Sequence, residues 1–157
     1  LLPLPGLPGV VFQPIARLLN VNSFIARVFA LNAREPAAVE RLIWGTGSNL
    51  DARGIELYAR VIRFSRHTAA ALGMMARWDL KHMQRELPDL EPDLVMIVGA
   101  NDVSVPPTEA GRVAAVRPRS RMATLPCGGH LVHEEQPDKV AELIVQAARD
   151  SGALPES

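Results

Sequence analysis

The segment Leu94–Asp102, with the sequence LVMIVGAND, decides the fold class of this 157-residue chain. Its apolar run Leu94–Val98 stops at Gly99, a pattern typical of a strand buried on both faces of a parallel sheet. A helical pattern opens at Pro106–Pro107, and Arg121–Leu125 is predicted to form a second strand. The order strand, helix, strand predicts two parallel strands joined by a right-handed crossover.

A last predicted helix completes a strand-helix-strand-helix unit over residues 91–157. It starts at Pro137, because proline fits the first turn of a helix. Its apolar residues are predicted to form one inward stripe, consisting of Val140, Leu143, Ile144 and Ala147.

Residues 1–90 have helical periodicity after an apolar leader rich in proline and glycine. Pro36 is predicted to open a helix that carries Val39, Leu42 and Ile43 and ends at the breaker Gly45–Asn49, GTGSN. Further helices are expected after a cap at Asp51, over Thr68–Trp78, and over Leu80–Leu87.

The leader is predicted to be neither a signal peptide nor a membrane span. Residues 1–16 carry no charge, but Pro3, Pro5 and Pro8 would break a spanning helix, and no basic segment precedes the apolar run. We expect it to pack as an extended apolar segment. Because the chain begins at Leu1, without an initiator methionine, we expect a processed chain or part of a longer protein.

Charge and cysteine content exclude several classes of protein. The chain has 17 basic and 17 acidic side chains, so it lacks the positive charge of a nucleic-acid binder. Its lone Cys127 excludes a disulfide framework and a cysteine-rich zinc site. No pattern indicates a cofactor, and we expect a cytoplasmic protein.

Two residues that carry chemistry follow the two predicted strands. Asp102 lies just after the first strand and His130 just after the second, whereas Asp93 precedes its strand. The carboxyl ends of parallel strands share one edge of the sheet, so we expect this carboxylate and this imidazole to meet, as in the supporting half of a nucleophile triad. The alternative is a turn-forming aspartate and a surface histidine.

These loops resemble those of the α/β-hydrolase family. Val98–Pro106 is similar to the acid loop after strand seven, and Leu125–Pro137 to the histidine loop after strand eight. The family orders its triad nucleophile, acid, histidine, so the resemblance implies that Asp102 and His130 are the acid and the base. It also implies that residues 1–90 form a helical lid and residues 91–157 the C-terminal part of the core.

A narrower resemblance rests on Gly45–Ser48, Ala71–Leu80 and His130–Pro137. These segments are similar to the hydrolase-fold magnesium-chelatase accessory family of bacteriochlorophyll biosynthesis. That resemblance implies magnesium chelatase as a partner and a small apolar or tetrapyrrole-like substrate. It does not imply a reaction, so a serine-type ester hydrolase and a non-hydrolytic tetrapyrrole-binding or chelatase-assisting protein both stay open.

The chain lacks the Gly-x-Ser-x-Gly motif of the family nucleophile. Ser48 and Ser104 have no such elbow around them, and Cys127 is predicted to be a packed thiol. We therefore expect the nucleophile to lie outside this chain and the chain alone to be inactive. His133 and Glu134 beside His130 do not complete a set of metal ligands.

Apolar residues in the predicted lid are candidates for a substrate pocket. Met74, Met75 and Trp78 could form its roof, because methionine and aromatic side chains adapt to a flat ligand, and Arg77 could meet a substrate carboxylate. The alternative is that they are lid core. If residues 91–157 are part of a larger sheet, the strand Leu94–Val98 should show an unpaired apolar edge.

Overall fold

The computed structural model describes residue 31, residues 35–78 and residues 80–155. These described residues fall into two compact units, the first within Leu1–Ile43 and Leu50–Gln84 and the second within Trp44–Asn49 and Arg85–Ser157. The apolar leader and the helical segments predicted before Leu31 lie outside the described residues.

The described part of the first unit is helical, with α1 (Pro36–Trp44), α2 (Ala52–Ile62), α3 (Ser65–Ala76) and α4 (Leu80–Glu86). The predicted cap of α2 is confirmed, since Asp51 Oδ1 accepts a hydrogen bond from Gly54 N at 2.7 Å. Helices α2 and α3 pack against each other. The buried apolar residues of these helices are Val39, Ile43, Ile55, Ala59 and Ala76.

The three apolar residues named for the predicted helix differ in burial. Val39 and Ile43 of α1 are buried, whereas Leu42 is 47% exposed. Residues 39 and 43 are one helical turn apart and define a narrow stripe, and Leu42 lies to one side of it.

The second unit contains β1 (Val95–Gly99), α5 (Pro107–Val116), β2 (Arg121–Leu125), α6 (Val132–Glu135) and α7 (Pro137–Asp150), with a 3-10 turn over Leu87–Asp89. Strands β1 and β2 pair in parallel, with Val95 opposite Arg121 and Gly99 opposite Leu125. The predicted parallel pairing of two strands joined by a helix is therefore confirmed.

Burial of β1 is lower than the sequence predicts. Val95–Val98 are half-buried and only Gly99 is fully buried. Within the described residues the sheet has two strands, so one edge of β1 has no strand beside it there. The prediction that β1 is buried on both faces is therefore wrong. The predicted unpaired edge of β1 is present in the part of the chain that the structure describes.

The small core of this unit lies between β2, α6 and α7. Its buried apolar residues are Leu125, Val132 and Val140, with Ile97 and Leu143 packed against them. The predicted inward stripe of α7 is correct at Val140 but not at Ile144, which is 56% exposed.

Two charged residues that the sequence analysis missed are buried, one in α5 and one just after it. Arg117, 7% exposed, donates from Nη2 to the carbonyl oxygen of Pro92 at 3.1 Å and so joins the end of α5 to the segment before β1. Glu109, 5% exposed, pairs with Arg112 one turn further along the helix. The apolar residues Ala110, Val113 and Ala114 of α5 are half-buried.

A surface ion pair connects the start of β2 with the end of α7. The Asp150 carboxylate accepts hydrogen bonds from Gln146 Nε2 at 2.6 Å and from Arg121. These two hydrogen bonds hold the pKa of Asp150 below its ordinary value, and the bond from Gln146 has the larger effect.

Two glycine-to-alanine substitutions should have opposite effects on the free energy of unfolding. A Cβ on Gly99 would overlap the carbonyl oxygens of Gly129 and Gly128, so Gly99→Ala should destabilise the protein by about 1–3 kcal/mol. A Cβ on Gly111, inside α5, would meet nothing within 4 Å, so Gly111→Ala should stabilise it by about 0.5–1 kcal/mol. Urea unfolding measures both, and equal effects would contradict the described contact between the end of β1 and the histidine loop.

Candidate functional site

The loops that follow β1 and β2 are hydrogen-bonded to each other. Ala100 N donates to the carbonyl oxygen of Leu125 at 2.9 Å, and Asn101 N donates to that of Gly128 at 2.8 Å. These bonds extend the strand pairing beyond Gly99. As a result, the residues that come next in each loop are kept at the same edge of the sheet.

Asp102 and His130 meet at this edge. His130 Nδ1 lies 2.9 Å from Asp102 Oδ2, a hydrogen-bond distance. The side chain of Asp102 is 10% exposed and that of His130 is 41% exposed. The structure therefore brings together a mostly buried carboxylate and an accessible imidazole, as the order of the strands predicts.

The two carboxylate oxygens of Asp102 have different partners. Oδ2 faces His130, and Oδ1 accepts a hydrogen bond from Val105 N at 2.7 Å. The second bond is the turn-forming contact that the sequence analysis gave as the alternative role of this aspartate. Both interactions occur together, so the turn fixes the carboxylate in front of the imidazole.

This arrangement sets the chemistry available to His130. An ionised carboxylate only accepts hydrogen bonds, so the contact with Asp102 favours the neutral tautomer with its proton on Nδ1. Nε2 is then the ring atom that can take a proton from another group. His130 can thus act as a base, and the carboxylate of Asp102 orients it.

The turn Gly45–Asn49, here called the GTGSN turn, was predicted only as the end of a helix. That prediction is confirmed, since α1 ends at Trp44 and Gly47 N donates to the carbonyl oxygen of Trp44 at 2.9 Å. The turn also has a role that the sequence analysis missed. The Thr46 carbonyl oxygen accepts hydrogen bonds from Val103 N at 3.1 Å and from His130 N at 3.4 Å.

Ser48 packs inside this arrangement. It is 2% exposed, and its Oγ accepts a hydrogen bond from Leu131 N at 2.8 Å. The hydroxyl therefore supports the histidine loop, in agreement with the prediction that Ser48 is not the nucleophile. Ser104 and Cys127 are both exposed, and Cys127 is not the packed thiol that the sequence predicts.

Glu135 connects the GTGSN turn to the histidine loop. Its Oε1 accepts a hydrogen bond from Asn49 N at 2.8 Å, and its Oε2 accepts one from Gly129 N at 2.7 Å. The sequence offered one signal for this contact, namely glycines in both segments. A Cβ on Gly129 would overlap the backbone of Gly47 and Ser48, so the segments approach this closely only without a side chain there.

The predicted pocket residues belong to the first unit, at the end of α3 and just beyond it. Met74 is 54% exposed and Arg77 is also exposed, whereas Met75 and Trp78 are half-buried. The alternative role as lid core therefore does not fit Met74. Their role as a pocket stays a prediction.

Two further features concern metals and membranes. His133 Nε2 lies 3.6 Å from Glu134 Oε1 at the surface. In the part of the chain that the structure describes, no three His, Cys, Asp or Glu side chains are grouped to hold a metal ion. Among the same residues, no helix is both long and apolar enough to cross a bilayer.

Two comparisons with known proteins show what the chain is similar to. The model of the alpha/beta hydrolase family matches residues 4–143. The chain is also 31% identical over 140 residues to the magnesium-chelatase 30 kDa subunit of Rhodobacter capsulatus. That alignment covers 89% of this chain and 49% of the subunit, so the chain spans about half the length of this curated relative.

The backbone of the histidine loop gives a test of its local conformation. Cys127 has φ +61°, in the left-handed region that favours glycine. Cys127→Gly should therefore stabilise the protein by about 1 kcal/mol, and Cys127→Val, which is branched at Cβ, should destabilise it. Thermal unfolding measures both variants, and a loss of stability in Cys127→Gly would contradict this loop conformation.

Proposed function

The chain belongs to the alpha/beta hydrolase family, and on that premise we propose that the complete protein hydrolyses an ester or acyl bond by serine-type chemistry. In this proposal Asp102 and His130 are the acid and the base of the triad. The nucleophilic serine lies outside this chain. The protein works in the cytoplasm alongside magnesium chelatase in bacteriochlorophyll biosynthesis.

The observation that carries the catalytic part is the hydrogen bond between His130 Nδ1 and Asp102 Oδ2, at 2.9 Å. It orients the imidazole so that Nε2 takes the proton of the serine hydroxyl as its oxygen attacks the acyl carbon. The imidazolium then returns the proton to the leaving alcohol. Water hydrolyses the acyl-serine by the same route, with His130 again as the base.

The link to magnesium chelatase rests on the similarity to the Rhodobacter capsulatus subunit, whose name states that association. It suggests a tetrapyrrole-like or other small apolar substrate. Met74, Met75 and Trp78 would contact its flat face, and Arg77 would bind a carboxylate of the ligand. The high exposure of Met74 and Arg77 supports a contact of this kind.

A second candidate function is a non-hydrolytic tetrapyrrole-binding or chelatase-assisting protein with the same fold. The observation in its favour is that the relative is named as a chelatase subunit and not as a hydrolase. In this case the protein would keep Asp102 and His130 from the family but would not hydrolyse a substrate.

Removing the base separates the two candidates. In the complete protein, His130→Ala and Asp102→Asn should each lower kcat on a panel of aryl and alkyl esters by about 10³–10⁴-fold, because proton transfer to Nε2 is lost or misdirected. Porphyrin affinity, measured by fluorescence titration, should not change. His133→Ala, at an exposed neighbouring histidine, is the matched control and should keep full activity.

Absence of ester turnover in the folded wild-type protein, together with tight porphyrin binding, would contradict the hydrolase proposal and support the second candidate.

The proposed contact with Arg77 predicts a preference for free carboxylates. Arg77→Ala should weaken binding of protoporphyrin by about 10-fold, since a hydrogen bond to a charged group contributes roughly 1.5–3 kcal/mol. It should leave binding of the protoporphyrin dimethyl ester unchanged. Arg60→Ala, at an exposed arginine of α2, is the control. Equal losses for the acid and the ester would rule out this contact.

A further inference from the structure

Three consecutive backbone N–H groups centred on His130 all have acceptors. Gly129 N donates to Glu135 Oε2 at 2.7 Å, His130 N to the Thr46 carbonyl oxygen at 3.4 Å, and Leu131 N to Ser48 Oγ at 2.8 Å. Two of these acceptors, the Thr46 carbonyl oxygen and Ser48 Oγ, belong to the GTGSN turn. The third belongs to Glu135, whose other carboxylate oxygen accepts a hydrogen bond from Asn49 N of the same turn. The backbone on both sides of the histidine is thus fixed.

The acid loop is fixed by the same turn. Val103 N, next to Asp102, donates at 3.1 Å to the Thr46 carbonyl oxygen that also accepts from His130 N. The Thr46 carbonyl group therefore contacts both loops. It accepts from the acid loop at Val103, one residue after Asp102, and from the histidine loop at His130. The spacing of the two loops depends on that group as well as on the strand pairing.

His130 needs this support because its own side chain is only partly buried. The side chain is 41% exposed, so packing alone does not select one ring orientation. A base must lie within about 0.5 Å of its productive position, and such accuracy requires support from surrounding residues. For His130, that support comes from its fixed backbone and from Asp102.

We propose that Glu135 and Ser48 are positioning residues for His130, which hold the histidine loop on the GTGSN turn so that Nδ1 stays within hydrogen-bond distance of Asp102. Glu135 is suited to this task because an ionised carboxylate only accepts, and each of its oxygens takes one backbone N–H. The effect on kcat rests on the proposed hydrolase function. The effect on the Asp102–His130 hydrogen bond does not.

Glu135→Gln is the direct test in the complete protein. The amide keeps the shape of the side chain but has one accepting oxygen, so its NH₂ group faces one of the two backbone N–H groups. With ¹⁵N-labelled histidine, NMR of the wild type should show His130 with its proton on Nδ1 and in slow exchange with solvent. In Glu135→Gln this exchange should be at least about 10-fold faster, because the bond to Asp102 opens more often.

The same variant should lower kcat by about 10–100-fold with little change in KM, since a small displacement of a catalytic group impairs the chemical step more than substrate binding. Glu134→Gln is the matched control. It removes one charge at the adjacent, exposed residue and should leave both the NMR signal and kcat unchanged.

Ser48→Ala tests the other side of the loop. It leaves Leu131 N without its acceptor and should produce the same faster exchange at His130, whereas Ser104→Ala, at an exposed serine, should not. If Glu135→Gln does not fold, proton exchange at His130 in Ser48→Ala tests the proposal instead.

Unchanged Nδ1 proton exchange in a folded Glu135→Gln or Ser48→Ala protein would overturn the proposal, even if kcat falls. Faster exchange in a protein whose wild type hydrolyses no ester would support the positioning role and contradict the hydrolase function alone.

Discussion

Parallel pairing of Val95–Gly99 with Arg121–Leu125 is the constraint on which the rest of the candidate site depends. Because both strands end at the same edge, the loops that follow them leave the sheet side by side and continue the pairing through Ala100 and Asn101. A one-residue shift in this register would separate the carboxylate of Asp102 from the imidazole of His130. Contacts from the GTGSN turn act on loops that the strands have already brought together.

Local signals in the sequence predicted much of the fold. Pro36, Pro107 and Pro137 each lie in the first turn of a helix, and Asp51 caps the next one, because these preferences depend on a few neighbouring residues. The meeting of Asp102 with His130 was also predictable, from the rule that parallel strands share their carboxyl edge. The contacts of Ser48 with Leu131 and of Glu135 with Asn49 were not, since they join segments more than 80 residues apart and no periodicity encodes them.

The site combines two environments that suit different tasks. Asp102 is mostly buried and has a partner on each oxygen, so its position is fixed, while the imidazole of His130 is accessible to another reacting group. The chain belongs to the alpha/beta hydrolase family, and the proposed roles of acid and base match this geometry. The proposed association with magnesium chelatase rests on the similarity to a magnesium-chelatase subunit, and the chain spans about half the length of that relative.

Covalent trapping can show whether His130 activates a serine in the complete protein, as we propose. A fluorophosphonate reacts with an activated serine by losing fluoride, and intact-mass spectrometry detects the phosphonyl adduct. The wild-type protein should form one adduct per chain, and His130→Ala should react at least about 100-fold more slowly, because its serine has no general base. Absence of an adduct on the folded wild type, or equal rates in the two proteins, would contradict this role of His130.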